Sequence, residues 1–313
     1  MRIGIHTSTA GSLEKSALKA HELGANTFQI FSASPRMWRA KNPDPTQVKL
    51  LQRAREQYDL QPLVIHDSYL INLASEDQVI RSKSIEAFTG EIERAIVIGA
   101  DYLVAHPGNY KDLTREQGIL NVAEGLAKGW MGVKEELQKN ARLTILLENT
   151  AGAKNQIGGD LADLATLRQL VTPYLDIPIG YCLDTCHLYV YGRDISTETG
   201  LAAAIREAEE ILGLEHVPVM HANDAKTRLG SHLDRHAHIG DGYIGTEGFR
   251  RILNHPQLQK KAFILETPVD KPGDDLRNVT ALKELVPFPN KRLTTNKSKQ
   301  SGTRGGKTMP PST

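Results

Sequence analysis

A chain of 313 residues, 40% of them hydrophobic, can bury one large core or two smaller ones. No apolar run approaches the roughly 18 residues of a membrane span, and the first residues lack the basic and apolar segments of a signal peptide. We therefore expect no membrane association. The two cysteines, Cys182 and Cys186, exclude a disulfide framework. We expect both to be reduced in a cytoplasmic protein, close to the nucleoid if the source is bacterial.

The formal net charge of +1 conceals an uneven distribution. Residues 289–313 carry six Lys or Arg and no acid, which leaves 32 of the 38 basic side chains against 37 acidic ones in residues 1–288, a net charge of −5. Large apolar residues are scarce in this tail, so we predict that it is disordered. Two interpretations stay open: a weak electrostatic tether to nucleic acid, or a solubilising terminus.

Short apolar runs alternate with longer segments of helical period along residues 1–288. The strand candidates are residues 2–6, 27–31, 63–66, 102–106, 144–148, 179–184, 217–221 and 263–266. The helix candidates are residues 12–23, 46–58, 78–98, 115–138, 160–171, 198–212, 247–253 and 274–286. Apolar strands between helices indicate a parallel sheet covered on both faces. Eight such units predict one α/β domain, a closed (β/α)8 TIM barrel over residues 1–288, with a doubly wound sheet as the alternative.

Titratable side chains stand at the end of seven of the eight predicted strands. The last residues are, in order, His6, Phe31, His66, His106, Glu148, Asp184, His221 and Glu266. In a barrel the carboxyl ends of the strands surround one mouth, where active sites of this fold lie. A single histidine after an apolar strand is usually a satisfied core or rim residue, but so many charged groups at one mouth are costly unless cations neutralise them.

Two further stretches add candidate metal ligands. His187 follows Asp184 by three residues, and "DRHAHIGDG" places Asp234 and His236 two positions apart, hence on one side of an extended segment. A salt-bridged surface loop is the alternative reading of that stretch. The full candidate set is His66, His106, Glu148, Asp184, His187, His221, Asp234, His236 and Glu266. Nine nitrogen and oxygen ligands suffice for two or three ions; we expect Zn2+, with Mn2+ as the substitute.

The charge balance favours an anionic substrate. Four of the nine candidates are carboxylates in a core already at −5, and three divalent ions bring that core to about +1. Paired metal ions roughly 3.5–4 Å apart are a recurring device for hydrolysing phosphodiesters. The residues alone therefore indicate a metal-dependent phosphodiesterase.

Seven segments, in this order, resemble the motif series of the endonuclease IV family, apurinic/apyrimidinic endonucleases of base-excision DNA repair. They are "HDSYLINLAS" (66–75), "HPG" (106–108), "LENTAG" (147–152), "CLDTCH" (182–187), "HANDAK" (221–226), "DRHAHIGDGYIG" (234–245) and "LETP" (265–268). The resemblance covers residues 1 to about 286 and implies a single barrel with three zinc ions. It also implies that double-stranded DNA with abasic sites is the partner, and we expect a monomer.

The resemblance assigns the ligands to three sites. His66, His106 and Glu148 hold the first zinc; Glu148 bridges to a second, completed by Asp184, His221 and Glu266; and His187, Asp234 and His236 hold the third. His238 and His6 are expected to support the ligands from outside, with a solvated His238 as the alternative. The implied reaction is hydrolysis 5′ to an abasic site, giving a 3′-hydroxyl and a 5′-deoxyribose phosphate, with 3′-end cleaning as a further activity and Glu148 as the catalytic residue.

The resemblance also implies that Arg36, Tyr69 and Leu70 probe the DNA at the missing base. Packing under a loop is the alternative for Tyr69 and Leu70, and a plain surface charge for Arg36. Three stretches depart from the family pattern: the loop "AKNQIGGD" after "LENTAG", the "NY" of "HPGNY", and "YGRD" (191–194). They remove no ligand but leave groove contacts open.

Two rival functions remain. A divalent-metal sugar isomerase or epimerase uses a similar barrel with His, Asp and Glu at the strand ends, but it has no use for a third ligand group. A metal-bound protein that recognises DNA lesions without turnover would show a damaged nucleophile position, and nothing in the ligand set suggests one.

Overall fold

The computed structural model describes residues 1–139 and 141–286, and the predicted basic tail lies outside them. Ten strands are present: β1 Arg2–His6, β2 Thr27–Phe31, β3 Leu63–His66, β4 Tyr102–Ala105, β5 Thr144–Glu148, β6 Ile179–Asp184, β7 Val219–His221, β8 Asp224–Ala225, β9 His236–Ala237 and β10 Ala262–Leu265. Eight of them close a parallel barrel in the order β1-β10-β7-β6-β5-β4-β3-β2. This arrangement confirms the predicted TIM barrel.

Ten α-helices accompany the strands: α1 Leu13–Glu22, α2 Pro45–Gln57, α3 Gln78–Ile98, α4 Arg115–Met131, α5 Glu135–Gln138, α6 Leu161–Val171, α7 Thr185–Tyr191, α8 Glu198–Leu212, α9 Gly245–Asn254 and α10 Asp274–Glu284. Side chains of Ser, Thr or Asp cap six of them at the N-terminus, at Ser12, Asp44, Asp77, Thr114, Asp160 and Thr197. Each such cap stabilises a helix by about 1 kcal/mol. Along the described chain, no helix combines the length and apolar character that a bilayer span requires.

The interior of the barrel is filled by one small apolar cluster. It consists of Val64, Val104, Leu146, Cys182, Val219, Ala262 and Ile264, with Tyr102 packed against it. A much larger cluster fills the space between barrel and helices. Because successive side chains of a strand point to opposite faces, the residues two positions after the interior ones point inward again, nearer the mouth.

Candidate metal centre

Six of the nine predicted ligands stand two residues after a side chain of the barrel interior. His66 follows Val64 and Glu148 follows Leu146; His106, Asp184, His221 and Glu266 follow Val104, Cys182, Val219 and Ile264 in the same way. The strand period of two therefore directs all six into the mouth, directly above the apolar plug. β4 and β10 end one residue earlier than predicted, at Ala105 and Leu265, so His106 and Glu266 follow their strands.

Asp184 connects its strand to a short helix that the sequence did not predict. Its carboxylate caps α7, with Oδ1 accepting from the His187 main-chain N–H at 2.8 Å. The cap places His187 on the first turn of α7, facing the mouth. A two-stranded antiparallel hairpin of β8 and β9, also unpredicted, brings in the remaining two ligands, because His236 begins β9 and Asp234 precedes it.

The nine predicted ligands fall into three groups in which one ligand atom per residue lies within 4.8 Å of the others. The groups are His66, His106 and Glu148; Glu148, Asp184, His221 and Glu266; and His187, Asp234 and His236. These are the sets expected for three ions. A fourth group combines Asp184 and His236 with Cys186, but burial raises the pKa of the Cys186 thiol, which disfavours the thiolate that a metal needs.

Glu148 is shared by two of these groups, and its two oxygens divide between them. Oε2 lies 3.2 Å from His66 Nε2 and 3.3 Å from His106 Nε2, while Oε1 lies 2.9 Å from His221 Nδ1. Burial would raise the pKa of Glu148, but the charges of His221 and His106 outweigh it and hold that pKa well below its usual range. A permanently ionised carboxylate with one oxygen toward each group suits a bridge between two cations.

In the metal-free chain, histidines take up the positive charge that cations would supply. Burial lowers the pKa of His66, but its hydrogen bond to Glu148 and the neighbouring carboxylates raise it to about 9. Burial likewise opposes, and the charge and hydrogen bonds of Asp184 and Asp234 determine, a pKa of about 10 for His187 and about 9 for His236. Burial prevails at His106, whose pKa is lowered.

The residues present fit a metal ion by their chemistry and by an unused atom. His236 Nε2 is buried and makes no hydrogen bond within the described residues, although Asp234 Oδ1 lies 3.2 Å away. Since a buried polar atom without a partner is costly, this lone pair is suited to a cation rather than to the carboxylate. The mouth above the ligands encloses a cavity of about 290 Å³, lined by His66, His106, Glu148 and the third group.

Several buried amides support the centre and were missed from the sequence. Asn223 Nδ2 donates to Asp184 Oδ2 at 2.6 Å, and its Oδ1 accepts from the Glu266 N–H at 2.8 Å. Asn149 Oδ1 accepts from the Asp184 N–H at 2.6 Å. Gln29, on β2, contacts His221 and Glu266. The signal for the two asparagines was their position directly after or two residues after a ligand; for Gln29 it was an amide within an apolar run.

His6 and His238 lie outside the three ligand groups. His6 Nδ1 accepts from the Gln29 amide at 3.0 Å, and the ring packs on Phe31 at 4.4 Å. His238 instead faces α10, where its Nδ1 lies 3.0 Å from Asn278 Nδ2. His6 thus supports the centre through Gln29, whereas His238 contacts a helix rather than the ligands.

The three predicted probe residues lie on adjoining loops at the mouth. Tyr69 is 72% exposed, with its ring edge on Phe31 at 5.2 Å, and Leu70 is half-buried beside it. Ser68 Oγ donates to Pro35 O at 2.8 Å and so ties this loop to the one that carries the exposed Arg36. The structure therefore brings the three side chains to one part of the rim.

Two of the stretches that depart from the family pattern pair with each other. Asn109 and Gln156 form an antiparallel bridge, Tyr110 N donates to Asn155 O at 3.0 Å, and the Asn155 amide also donates to the carbonyl oxygen of Lys111. The loops after β4 and β5 are thereby joined into one wall of the mouth.

A parallel barrel whose strand ends carry His, Asp and Glu defines an enzyme of the xylose isomerase-like class. A family model described as "Xylose isomerase-like TIM barrel" matches residues 17–286. "Probable endonuclease 4" of Solibacter usitatus (strain Ellin6076) is 60% identical over 286 residues, covering 91% of this chain and 97% of that protein. The crystal structure of endonuclease IV from Thermus thermophilus is 36% identical, with a TM-score of 0.78 and coverage of 91% and 98%. The chain belongs to the endonuclease IV family of these barrels.

This membership confirms the predicted family and enzyme class, a hydrolase of the endonuclease type. A putative xylose isomerase from Rhodospirillum rubrum ATCC 11170 is 13% identical, with a TM-score of 0.68 and coverage of 91% of this chain and 100% of that one. This second likeness shows the fold alone.

Proposed function

We propose that this protein hydrolyses the phosphodiester bond 5′ to an abasic site in double-stranded DNA, leaving a 3′-hydroxyl and a 5′-deoxyribose phosphate. The observation that carries the proposal is the set of three adjoining ligand groups on the floor of the mouth, two of which share Glu148. His66, His106 and Glu148 would hold one Zn2+; Glu148, Asp184, His221 and Glu266 a second; and His187, Asp234 and His236 a third. Mn2+ is the expected substitute.

When bound, these ions would supply Lewis-acid activation of water and of the scissile phosphate. The chain contributes a preorganised site. Glu148 stays ionised and immobile, since it is 1% exposed and contacts three imidazoles. Asn223 holds Asp184 and Glu266 in one orientation through the contacts described above. Because these groups need no rearrangement during the reaction, catalysis rests on electrostatic stabilisation and positioning without a covalent intermediate.

Selectivity for a missing base would come from the rim. Tyr69 and Leu70 would enter the stack where the base is absent, since unstacking costs least at such a site. Arg36, which has no ion-pair partner within the described residues, is free to contact the DNA backbone beside them. A duplex has to reach an open mouth, so we expect the enzyme to act as a monomer; trimming of blocked 3′ ends would use the same centre.

A duplex with one tetrahydrofuran abasic analogue tests the proposal. We expect incision on its 5′ side, no incision of the matched intact duplex, loss of activity after prolonged chelation, and close to three zinc ions per chain. Glu148→Gln should abolish incision. Asp101→Asn is the matched control, because Asp101 precedes β4 at the opposite end of the barrel and pairs with Arg55. Intact DNA together with metal-dependent isomerisation or epimerisation of a sugar would instead support the rival enzyme.

A further inference from the structure

A histidine binds a metal through one ring nitrogen only when its proton sits on the other, and the partner of that proton fixes the ring. Three of the predicted histidine ligands direct Nδ1 to a main-chain oxygen and Nε2 to their ligand group. The Nδ1 distances are 3.0 Å for His66 to Asp67 O, 2.8 Å for His187 to Asn149 O and 3.1 Å for His236 to Glu266 O. Main-chain partners of this kind do not depend on any side chain.

His221 is oriented the other way round. Its Nδ1 faces the ligand group, 2.9 Å from Glu148 Oε1 and 3.3 Å from Glu266 Oε2, and its Nε2 lies 2.9 Å from Oε1 of Gln29. The ring is fully buried, as is Gln29. Its proton partner is thus a side chain, which mutation can remove.

The surroundings of Gln29 fix which end of its amide faces His221. Nε2 of Gln29 lies 2.6 Å from Oε1 of Glu266, and an ionised carboxylate only accepts hydrogen bonds, so the NH2 group must face Glu266. Oε1 then faces His221, whose Nε2 must carry the proton and whose Nδ1 keeps its lone pair for a metal. The second proton of the NH2 group points to His6 Nδ1 at 3.0 Å, so His6 carries its own proton on Nε2.

Gln29 is an expensive choice for a space-filling residue. It lies within the apolar run "TFQIF" of β2, and burial of an amide costs free energy unless its hydrogen bonds are made. A methionine of similar volume would fill the space without that cost. All of its recorded side-chain hydrogen bonds go to one ligand imidazole, one ligand carboxylate and His6.

We propose that Gln29 is a positioning residue of the second metal group, which holds His221 as the Nε2–H tautomer with Nδ1 toward the metal and holds Glu266 in place with the same amide. This inference rests on the metal centre of the proposed function. It assigns to β2, which supplies none of the predicted ligands, a part in the orientation of two of them.

Long-range proton–nitrogen NMR of the zinc-loaded protein with 15N-labelled histidine tests the tautomers directly. We expect one imidazole to bind the metal through Nδ1 and to carry its proton on Nε2, while the remaining ligand imidazoles bind through Nε2. If every metal-bound imidazole used Nε2, the inference would be wrong. This measurement needs no variant and no DNA cleavage.

Gln29→Met then tests the cause. We expect the Nδ1-bound imidazole and His6 to lose their single tautomers, and one zinc to pass to a chelator 10–100-fold faster than from the unaltered protein. Asn121→Leu is the control, since it removes an equally buried amide on α4 away from the centre, and its release rate should stay unchanged. Zinc release from Gln29→Met at the unaltered rate, with tautomers intact, would overturn the inference.

The two hypotheses fail in different ways. An unaltered protein that holds no zinc and leaves abasic DNA intact would refute the proposed function. An unaltered protein that binds zinc and cuts, while Gln29→Met retains tautomers and metal, would refute only the role of Gln29.

Discussion

Removal of the metal ions should make the protein take up protons, and the structure indicates how many. Four predicted ligand histidines have a raised pKa in the metal-free chain: His66 at about 9, His187 at about 10, His236 at about 9, and His221 well above its ordinary value, where the charges of neighbouring groups, Glu148 and Glu266 among them, overcome burial. At pH 7.5 all four would be protonated. Because a metal binds only neutral imidazole, full loading should release about four protons.

The same shifts determine how stability depends on pH once the metal is gone. An unfolded histidine has a pKa near 6.5, and the folded pKa values of His66, His187 and His236 lie above it. Their stabilisation is therefore complete below about pH 6.5 and is lost as the pH rises through 9 to 10. Each proton that the folded state retains contributes about 1.4 kcal/mol per pH unit, so three set a ceiling of about 4 kcal/mol per unit.

The carboxylates act on the acid side. Burial opposes, but neighbouring histidines enforce, a lowered pKa for Glu148, Glu266 and Asp234. Their stabilisation is present above the unfolded pKa near 4 and is lost as the pH falls through the folded values. The metal-free protein should therefore be most stable between about pH 5 and 6.5. The zinc-loaded protein should gain stability from pH 6 to 8, because protons compete with the metal.

Two assays check this prediction. Calorimetric zinc titrations at pH 7.5, in buffers of different ionisation enthalpy, give the number of released protons. Denaturant unfolding from pH 5 to 9, with and without zinc, gives the two pH profiles. Release of fewer than two protons, or a metal-free protein that becomes more stable between pH 7 and 9, would contradict the proposed charge compensation.

Three further outcomes follow from the site. Tyr69→Ala with Leu70→Ala should weaken binding to an abasic duplex while zinc content, measured by elemental analysis, stays unchanged; a loss of zinc would mean that both residues are structural. Glu148→Gln should lose turnover and reduce the zinc content of the two groups that share it, so full occupancy would argue against a bridge. Lys111 and Lys154 are exposed on the paired loops, both with φ of +47°, and make no ion pair within the described residues. Lys111→Ala with Lys154→Ala should lower the salt dependence of DNA binding by up to about 1.8 in log–log slope, and an unchanged slope would place both lysines away from the phosphates.

Much of the barrel could be predicted because its strands are apolar runs separated by helices of clear period. The bounds of β1, β2, β3, β5, β6, α3 and α8 agree with the prediction. The predicted helix over 115–138 is instead α4 and α5, which are separated near Gly132. The seven-residue α7 and the two-residue β8 and β9 were missed, because elements of two turns or less leave no periodic signal.

The ligands could be predicted, while the residues that orient them could not. His66 and Glu148 are conspicuous as charged residues after apolar strands, and the period of two directs them into the mouth. Gln29 offers no such signal, since its role depends on hydrogen bonds to residues 192 and 237 positions away. Only the closure of the barrel, with β2 near β10, brings those partners within reach.

β2 also supports the probe side chains, which leads to a final prediction. Phe31 ends the strand that carries Gln29, and its ring holds the edge of Tyr69 at 5.2 Å and packs on His6 at 4.4 Å. An aromatic pair contributes about 0.5–1.5 kcal/mol beyond its buried area, so Phe31→Leu should weaken binding to an abasic duplex by about 2- to 12-fold. Binding to an intact duplex should change little, because only the damaged site admits Tyr69. Fluorescence titrations with both duplexes measure the two affinities. Equal losses on both would mean that Phe31 supports the general DNA surface, and not the recognition of the missing base.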